Sequence, residues 1–275
     1  FNVMHDGAHG SYSRRNWVNE MMGHSLNMLG GSVHYWKAKH NVNHHTFTNI
    51  EGMDEDIDIK FFMRVHKGQP KHWFHRFQHI YGLLLYGLTY LLWITVNDMQ
   101  KYFTGKIGEK TKLKPLSLKE HFIFWGSKVG YFTVFVVLPM FFAGVVPTLI
   151  GYGVMVFVTG IVISVVFQLA HVVEDTDFVP GSTDPQHVES EWAVHQVAKT
   201  VNFATHNNVW NWLCDRLNFQ VEHHLFPRIS HVHYPALNKR LIEVCAEFNI
   251  TYREFPSLRS ALLSHLRHLR QVGVA

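Results

Sequence analysis

The chain of 275 residues has only two cysteines, Cys214 and Cys245, far apart in the sequence. Two such residues give no disulfide framework and no cysteine-rich metal scaffold, and they suit a reducing compartment. No HExxH pair occurs, so the common helical zinc-hydrolase signature is missing. Charge is sparse: 17% of residues are Asp, Glu, Lys or Arg, and the basic excess is 25 − 21 = 4. With no dense basic cluster, nucleic acid is not an expected partner. The mild excess fits anionic headgroups or an acidic electron-carrier protein better. No secretory signal peptide is legible.

Histidine, by contrast, is abundant at 22 residues. It is the commonest side-chain metal ligand. Much of it gathers in three boxes: His5-Asp6-Gly7-Ala8-His9, His40-Asn41-Val42-Asn43-His44-His45 and Gln220-Val221-Glu222-His223-His224. Residues three and four apart share a helix face. Each box can therefore aim two or three ligand atoms at one point. Together the boxes offer seven imidazoles and one amide. A tetrahedral zinc site takes four ligands, so this set suffices for two metals with open positions. The boxes hold no cysteine, which argues against an iron–sulfur cluster. Non-haem iron with open positions activates dioxygen, so a di-iron centre is the expected reading. Isolated histidines, among them His75, His265 and His268, read as surface or satisfied core residues.

Three apolar runs separate the second box from the third. Phe77 to Val96 has no Lys, Arg, Asp or Glu. His121 to Gly144 has one charged residue, Lys128, whose side chain can snorkel. Pro147 to Ala170 has none. At about 1.5 Å per residue each run reaches or exceeds roughly 30 Å, the hydrocarbon thickness of a bilayer. Ala143-Gly144-Val145-Val146-Pro147 makes a tight link, so the last two runs form a hairpin. Boxes that share a metal site must lie on one side of the membrane. Three crossings would separate the second box from the third, so 77–96 is expected to lie in the interface or to dip without crossing. Basic residues Lys71, Arg76, Lys101 and Lys106 flank it, which agrees with two cytosolic ends.

The remaining segments are polar or mixed. Trp17 to Lys39 reads as an interfacial helix. Glu51 to Asp58 reads as a solvated acidic loop; the competing reading is carboxylates that orient ligand imidazoles. Beyond His171 the chain reads as cytosolic, with a loop at 175–190 turning at Pro180-Gly181. Partly helical 191–217 follows, then helices at 241–248 and 257–271. The last carries Arg259, His265, Arg267, His268 and Arg270, read as a solvated face, with a headgroup or partner surface as the alternative.

The stretches His5–Ser11 (HDGAHGS), Trp36–Asn49 (WKAKHNVNHHTFTN) and Leu217–Pro227 (LNFQVEHHLFP) resemble the membrane fatty acid desaturases, specifically the front-end (linoleoyl-CoA desaturase-like, delta-6/delta-5 type) branch. The Gln that opens the third box is typical of that branch. The resemblance implies an all-α integral membrane helical bundle, one desaturase domain over 1–275. Its parts are 1–76 with two boxes, the interfacial or re-entrant 77–120, a transmembrane hairpin 121–170 and a cytosolic cap 171–275. It implies two iron ions held by His5, His9, His40, His44, His45, His223 and His224. It further implies one more His at the cytosolic end of the last membrane helix, matched by His171 with His195 and His206 as competitors. Gln220 stands where relatives carry a ligand His; binding directly or through water is left open. The implied reaction is O2-dependent insertion of a cis double bond into an acyl chain of a lipid or acyl-CoA. Trp210, Trp212, Phe219 and Phe226 are expected near the mouth of the acyl tunnel, or in ordinary packing. Family members carry a membrane hairpin before the first box, and this chain, which begins at Phe1, is expected to lack it. No His-Pro-Gly-Gly stretch occurs; a fused cytochrome b5 domain belongs to the missing N-terminal part, or else electrons are expected from a separate ferredoxin or cytochrome b5. A di-iron lipid or alkane hydroxylase on the same scaffold, and a non-enzymatic membrane metal-binding or transport protein, are the alternatives.

Overall fold

The computed structural model describes residues 1–57, 59–108, 111–174, 176, 178–180 and 191–275. Asp58 and most of the expected loop 175–190, including Gly181 of its turn, lie outside the described residues. The chain is mostly helical, as expected. The strands among the described residues are two-residue pairings: Lys106–Ile107 antiparallel with Thr111–Lys112, and Asn202–Phe203 parallel with Glu254–Phe255. Two compact units are formed, one from Phe1, Val3–Asn41 and Leu83–Ser164, the other from Asn2, Val42–Gly82 and Val165–Ala275.

In the first unit the helices Asn2–His9 and Asn16–Gly23 cross closely. A Cβ on Gly7 would stand 2.5 Å from the Gly23 backbone nitrogen. Met4, Ala8, Leu26, Val33 and Trp36 form the core between them. The expected single helix over 17–39 is broken into Asn16–Gly23, Ser25–Met28 and Val33–Trp36. The second of the two breaks contains Gly30, whose φ of 79° is a left-handed conformation that glycine adopts without a steric cost.

Three helices are long and apolar enough to cross a membrane by length and composition: Trp73–Thr104, Leu118–Ala143 and Val145–His171. The hairpin link is as expected. Gly144 has φ of 84° and its N–H bonds to the Met140 carbonyl, and the next helix starts at Val145. Lys128 does not snorkel. It is buried, and its Nζ donates to Asp98 Oδ2 at 2.7 Å and to the carbonyls of Gly30 and Ile94. Asp98 Oδ2 also accepts from Ser32 N. The ion pair therefore satisfies a turn and a helix carbonyl that hydrocarbon could not.

The contacts of residues 83–104 with the hairpin follow an order. Tyr102 meets His121 and Phe124 near the open end of the hairpin. Asp98 meets Lys128 further in. Tyr90 and Ile94 pack with Tyr131 and Val156, closest to the Gly144 tip. Further back along the helix, Thr89 bonds Ser164 at 2.6 Å, while the Tyr86 carbonyl abuts Gly160 and Gly87 abuts Phe157. A five-residue π-helical turn at Trp93–Asn97 interrupts the helix, and such turns bend helices.

In the second unit, helices Trp192–Lys199, Asn208–Leu213, Gln220–Leu225, Tyr234–Glu247 and Leu258–Val274 surround two small cores. One centres on Leu169, Phe203 and Ala261, the other on Val197, Val221 and Cys245. Gln78 clamps the unit: its amide donates to the carbonyls of Arg64 and Leu269 and accepts from Arg64 N. The terminal helix does not present its histidines to solvent. His265 is buried with Nδ1 bonded to the Val172 carbonyl at 2.6 Å, and His268 is buried against the Val65 carbonyl at 2.7 Å.

Candidate metal centre

In the first unit the first box forms one short helix, Asn2–His9, whose i, i+4 spacing puts His5 and His9 on one face, rings 4.7 Å apart. His40 joins them, at 5.4 Å from His5 and 5.3 Å from His9. The Trp36 indole stacks on His40 at 4.4 Å and stands edge-on to the other two rings. Asn41 Nδ2 donates to the Ala8 carbonyl at 2.9 Å, tying the second box to the first. All three imidazoles are buried.

The second box is a π-helix, Lys37–His44, not an α-helix. The expectation that His40 and His44 would converge on one point is therefore wrong. A π turn holds more residues than an α turn, and these two imidazoles belong to different clusters. In the second unit His44 meets His171 at 4.7 Å and His224 at 4.8 Å, and His171 meets His224 at 4.8 Å. His45 stacks on His224 at 4.5 Å and stands edge-on to His223 at 4.7 Å. Ligand atoms of His44, His171 and His224 lie within 4.8 Å of one another, as do those of His5, His9 and His40. An imidazole nitrogen sits about 2.0–2.1 Å from a bound ion, so either set is near bridging distance.

The second ring nitrogens are held. His44 Nδ1 bonds both oxygens of Asp54, at 3.0 and 2.9 Å. His224 Nδ1 bonds Gln196 Oε1 at 2.9 Å, and His223 Nδ1 bonds Tyr234 Oη at 3.1 Å. A proton fixed at Nδ1 presents the Nε2 lone pair outward, as in carboxylate–histidine–metal arrangements. Asp54 overturns the solvated-loop reading of its segment. It is buried, and its side chain also accepts from Asn49 N and Asp56 N. Thr48 caps the arrangement: Oγ1 donates to Gln196 Oε1, while Asn49 Nδ2 donates to the His171 carbonyl.

The competitors of His171 lie elsewhere. His195 is buried with Nε2 on the Thr48 carbonyl at 2.9 Å, and its burial lowers its pKa, favouring the neutral ring. His206 is exposed. Gln220 is buried, and its amide donates to the Leu217 carbonyl at 2.6 Å. Of the four aromatics expected at a tunnel mouth, Phe219 is buried, Trp210 packs on the Leu169–Phe203 core, Phe226 is partly exposed and Trp212 is exposed.

Sequence reasoning missed what anchors the third box. Glu222, inside the motif, is fully buried and accepts from Asn202, Asn238 and Tyr252. Burial raises its carboxyl pKa, against the bonding of those partners. Asn202 also accepts from Val221 N at 2.9 Å. A buried carboxylate inside the box was the available signal; its amide and phenol partners had none.

Long apolar helices with buried clusters of converging imidazoles define an integral membrane protein equipped to hold metal. A family model described as fatty acid desaturase matches residues 1–256, and the chain belongs to the fatty acid desaturase family. It is 38% identical over 282 residues to an sn-1 linoleoyl-lipid 6-desaturase of Synechocystis sp., covering 100% of this chain and 77% of that protein. It is 37% identical over 275 residues to an acyl-lipid (8-3)-desaturase of Physcomitrium patens, covering 99% of this chain and 57% of that one. A Delta(5) fatty acid desaturase A of Dictyostelium discoideum is 30% identical over 278 residues, 98% of this chain and 60% of its own length. These relatives bear out the front-end resemblance. The chain thus spans between about half and three quarters of the relatives it matches. No solved structure matches.

Proposed function

We propose that this chain carries the catalytic core of an O2-dependent front-end acyl desaturase, which introduces a cis double bond into an acyl chain of a membrane lipid or acyl-CoA. The supporting observation is the two groups of buried imidazoles, with Nδ1 of His44, His224 and His223 anchored by Asp54, Gln196 and Tyr234. The all-nitrogen donor set and its burial fit iron. The proposed ligands are His5, His9, His40, His44, His45, His171, His223 and His224, with Gln220 as an auxiliary donor. When bound, iron supplies the oxygen-derived oxidising power that breaking a methylene C–H bond requires and side chains lack.

The chain's own residues do the rest. Asp54 and Gln196 fix the tautomers of His44 and His224 through acceptor oxygens, and Thr48 and Tyr234 hold their partners in place. Phe219 and Phe226, on either side of the third box, are proposed to border the acyl path and exclude water. The apolar helices supply the bilayer setting from which an acyl chain enters. Trp73–Thr104 is proposed to dip into the membrane and return, leaving the boxes together on the cytosolic side. The need to keep the second and third boxes on one face and the basic residues Lys71, Arg76, Lys101 and Lys106 at both ends support this. Electrons are proposed to come from a separate ferredoxin or cytochrome b5.

Expression of a longer version in a host supplied with linoleate, followed by mass spectrometry of the lipids, tests the proposal. A new double bond between an existing one and the carboxyl end is expected. A hydroxylated product would favour the lipid hydroxylase, and metal uptake without product would favour a binding protein.

A further inference from the structure

The six-residue helix Asn208–Leu213 just before the third box has three distinct faces. Asn207 caps it by accepting from Val209 N and Trp210 N. Asn211 turns inward: its amide donates to the Thr205 carbonyl and its carbonyl accepts from Asn218. Trp210 packs into the core with Leu169, Val165, Val166 and Phe203. The face opposite Asn211 is left open, with Val209 63%, Trp212 79% and Leu213 52% exposed. These stand at i, i+3 and i+4, so they form one stripe.

Two observations say what covers it. Val165, Val166 and Leu169 belong to the last two turns of Val145–His171, a helix long and apolar enough to cross a membrane. The stripe is therefore held beside the end of a span, where hydrocarbon gives way to headgroups. Its largest member is a tryptophan, the side chain most at home at that boundary. Three side chains are far short of the about 800 Å² per partner that a stable protein interface buries.

We propose that Asn208–Leu213 is a bilayer anchor, with Val209, Trp212 and Leu213 inserted about 5–10 Å into the headgroup and acyl boundary. Trp212 is then a membrane contact and not a wall of the acyl tunnel. The chain turns sharply after the helix, through Asp215 and Arg216 at φ of 50° and 57°, and enters the third box at Gln220. The anchor thereby holds that box at the membrane surface. This inference depends on Val145–His171 spanning the bilayer and not on the desaturase chemistry, so either can fail alone.

The test places a fluorescent thiol label at Trp212→Cys and, separately, at Val209→Cys, in full-length protein reconstituted in phosphatidylcholine vesicles. Cys214 and Cys245 are buried, and Arg240→Cys, on an exposed side chain, is the aqueous control. Quenching by lipids brominated near the headgroup end of the acyl chain should exceed the control about threefold at both positions, with loss of quenching by aqueous iodide. Iodide quenching equal to the control overturns the anchor. Protection from both quenchers also overturns it, since that is the signature of a protein partner or a second copy.

Discussion

At His44 one ring nitrogen is committed to Asp54 and the other faces His171 and His224. Removing such a carboxylate typically costs a metal site about 10–100-fold in affinity. Asp54→Ala should show that loss in a competition titration with a coloured chelator, and should also lower the thermal midpoint of the metal-free protein, because the N–H groups of Asn49 and Asp56 lose their acceptor. His265 differs, because it serves the fold. Burial pushes its imidazole down to about 4 from 6.5, and the nearby His268 adds to this against the opposing bond to the Val172 carbonyl. The unfolded chain takes up this proton first as pH falls below about 6.5. Stability present above that pH is therefore lost progressively as pH drops toward 4, by on the order of 3 kcal/mol. Thermal midpoints in detergent from pH 7 to 4 should fall less steeply for His265→Gln than for the parent chain.

Among elements, the π-helix Lys37–His44 separates two functions of one motif, sending His40 to one cluster and His44 to the other. Deleting the exposed Val42 should restore an α turn and rotate the following imidazoles by about 100° relative to His40. Metal stoichiometry by mass spectrometry should drop while helix content by circular dichroism stays. The packing of 83–92 on Val145–His171 depends on Gly160, where a Cβ would meet the carbonyls of Tyr86 and Gly87 at 2.5 and 2.7 Å. Backbone cannot yield as a side chain can, so Gly160→Ala should cost about 1–3 kcal/mol, read as a lower unfolding midpoint in detergent.

For the whole molecule the open choice is two crossings or three. If Trp73–Thr104 dips and returns, cysteines placed at Lys71 and Lys106 should both react with a membrane-impermeant maleimide from the same side of sealed vesicles. Reaction from opposite sides would make it a third span. The parity of crossings that the boxes require is what favours the dip.

The boxes, the hairpin break at Gly144 and the apolar spans were legible in the sequence, because spacing, glycine and hydrophobicity act locally. So was the preference for His171, by resemblance. What folding in three dimensions decided was which histidine faces which. A π turn is not encoded by periodicity, so the division of His40 from His44 was hidden. Lys128 looked free to snorkel until Asp98, thirty residues away, supplied a buried counter-charge. Gln196, Asn202 and Tyr252 became supports of the site only through hydrogen bonds to distant segments, whose partners no local pattern specifies, and folding chose for Asp54 the second of its two readings.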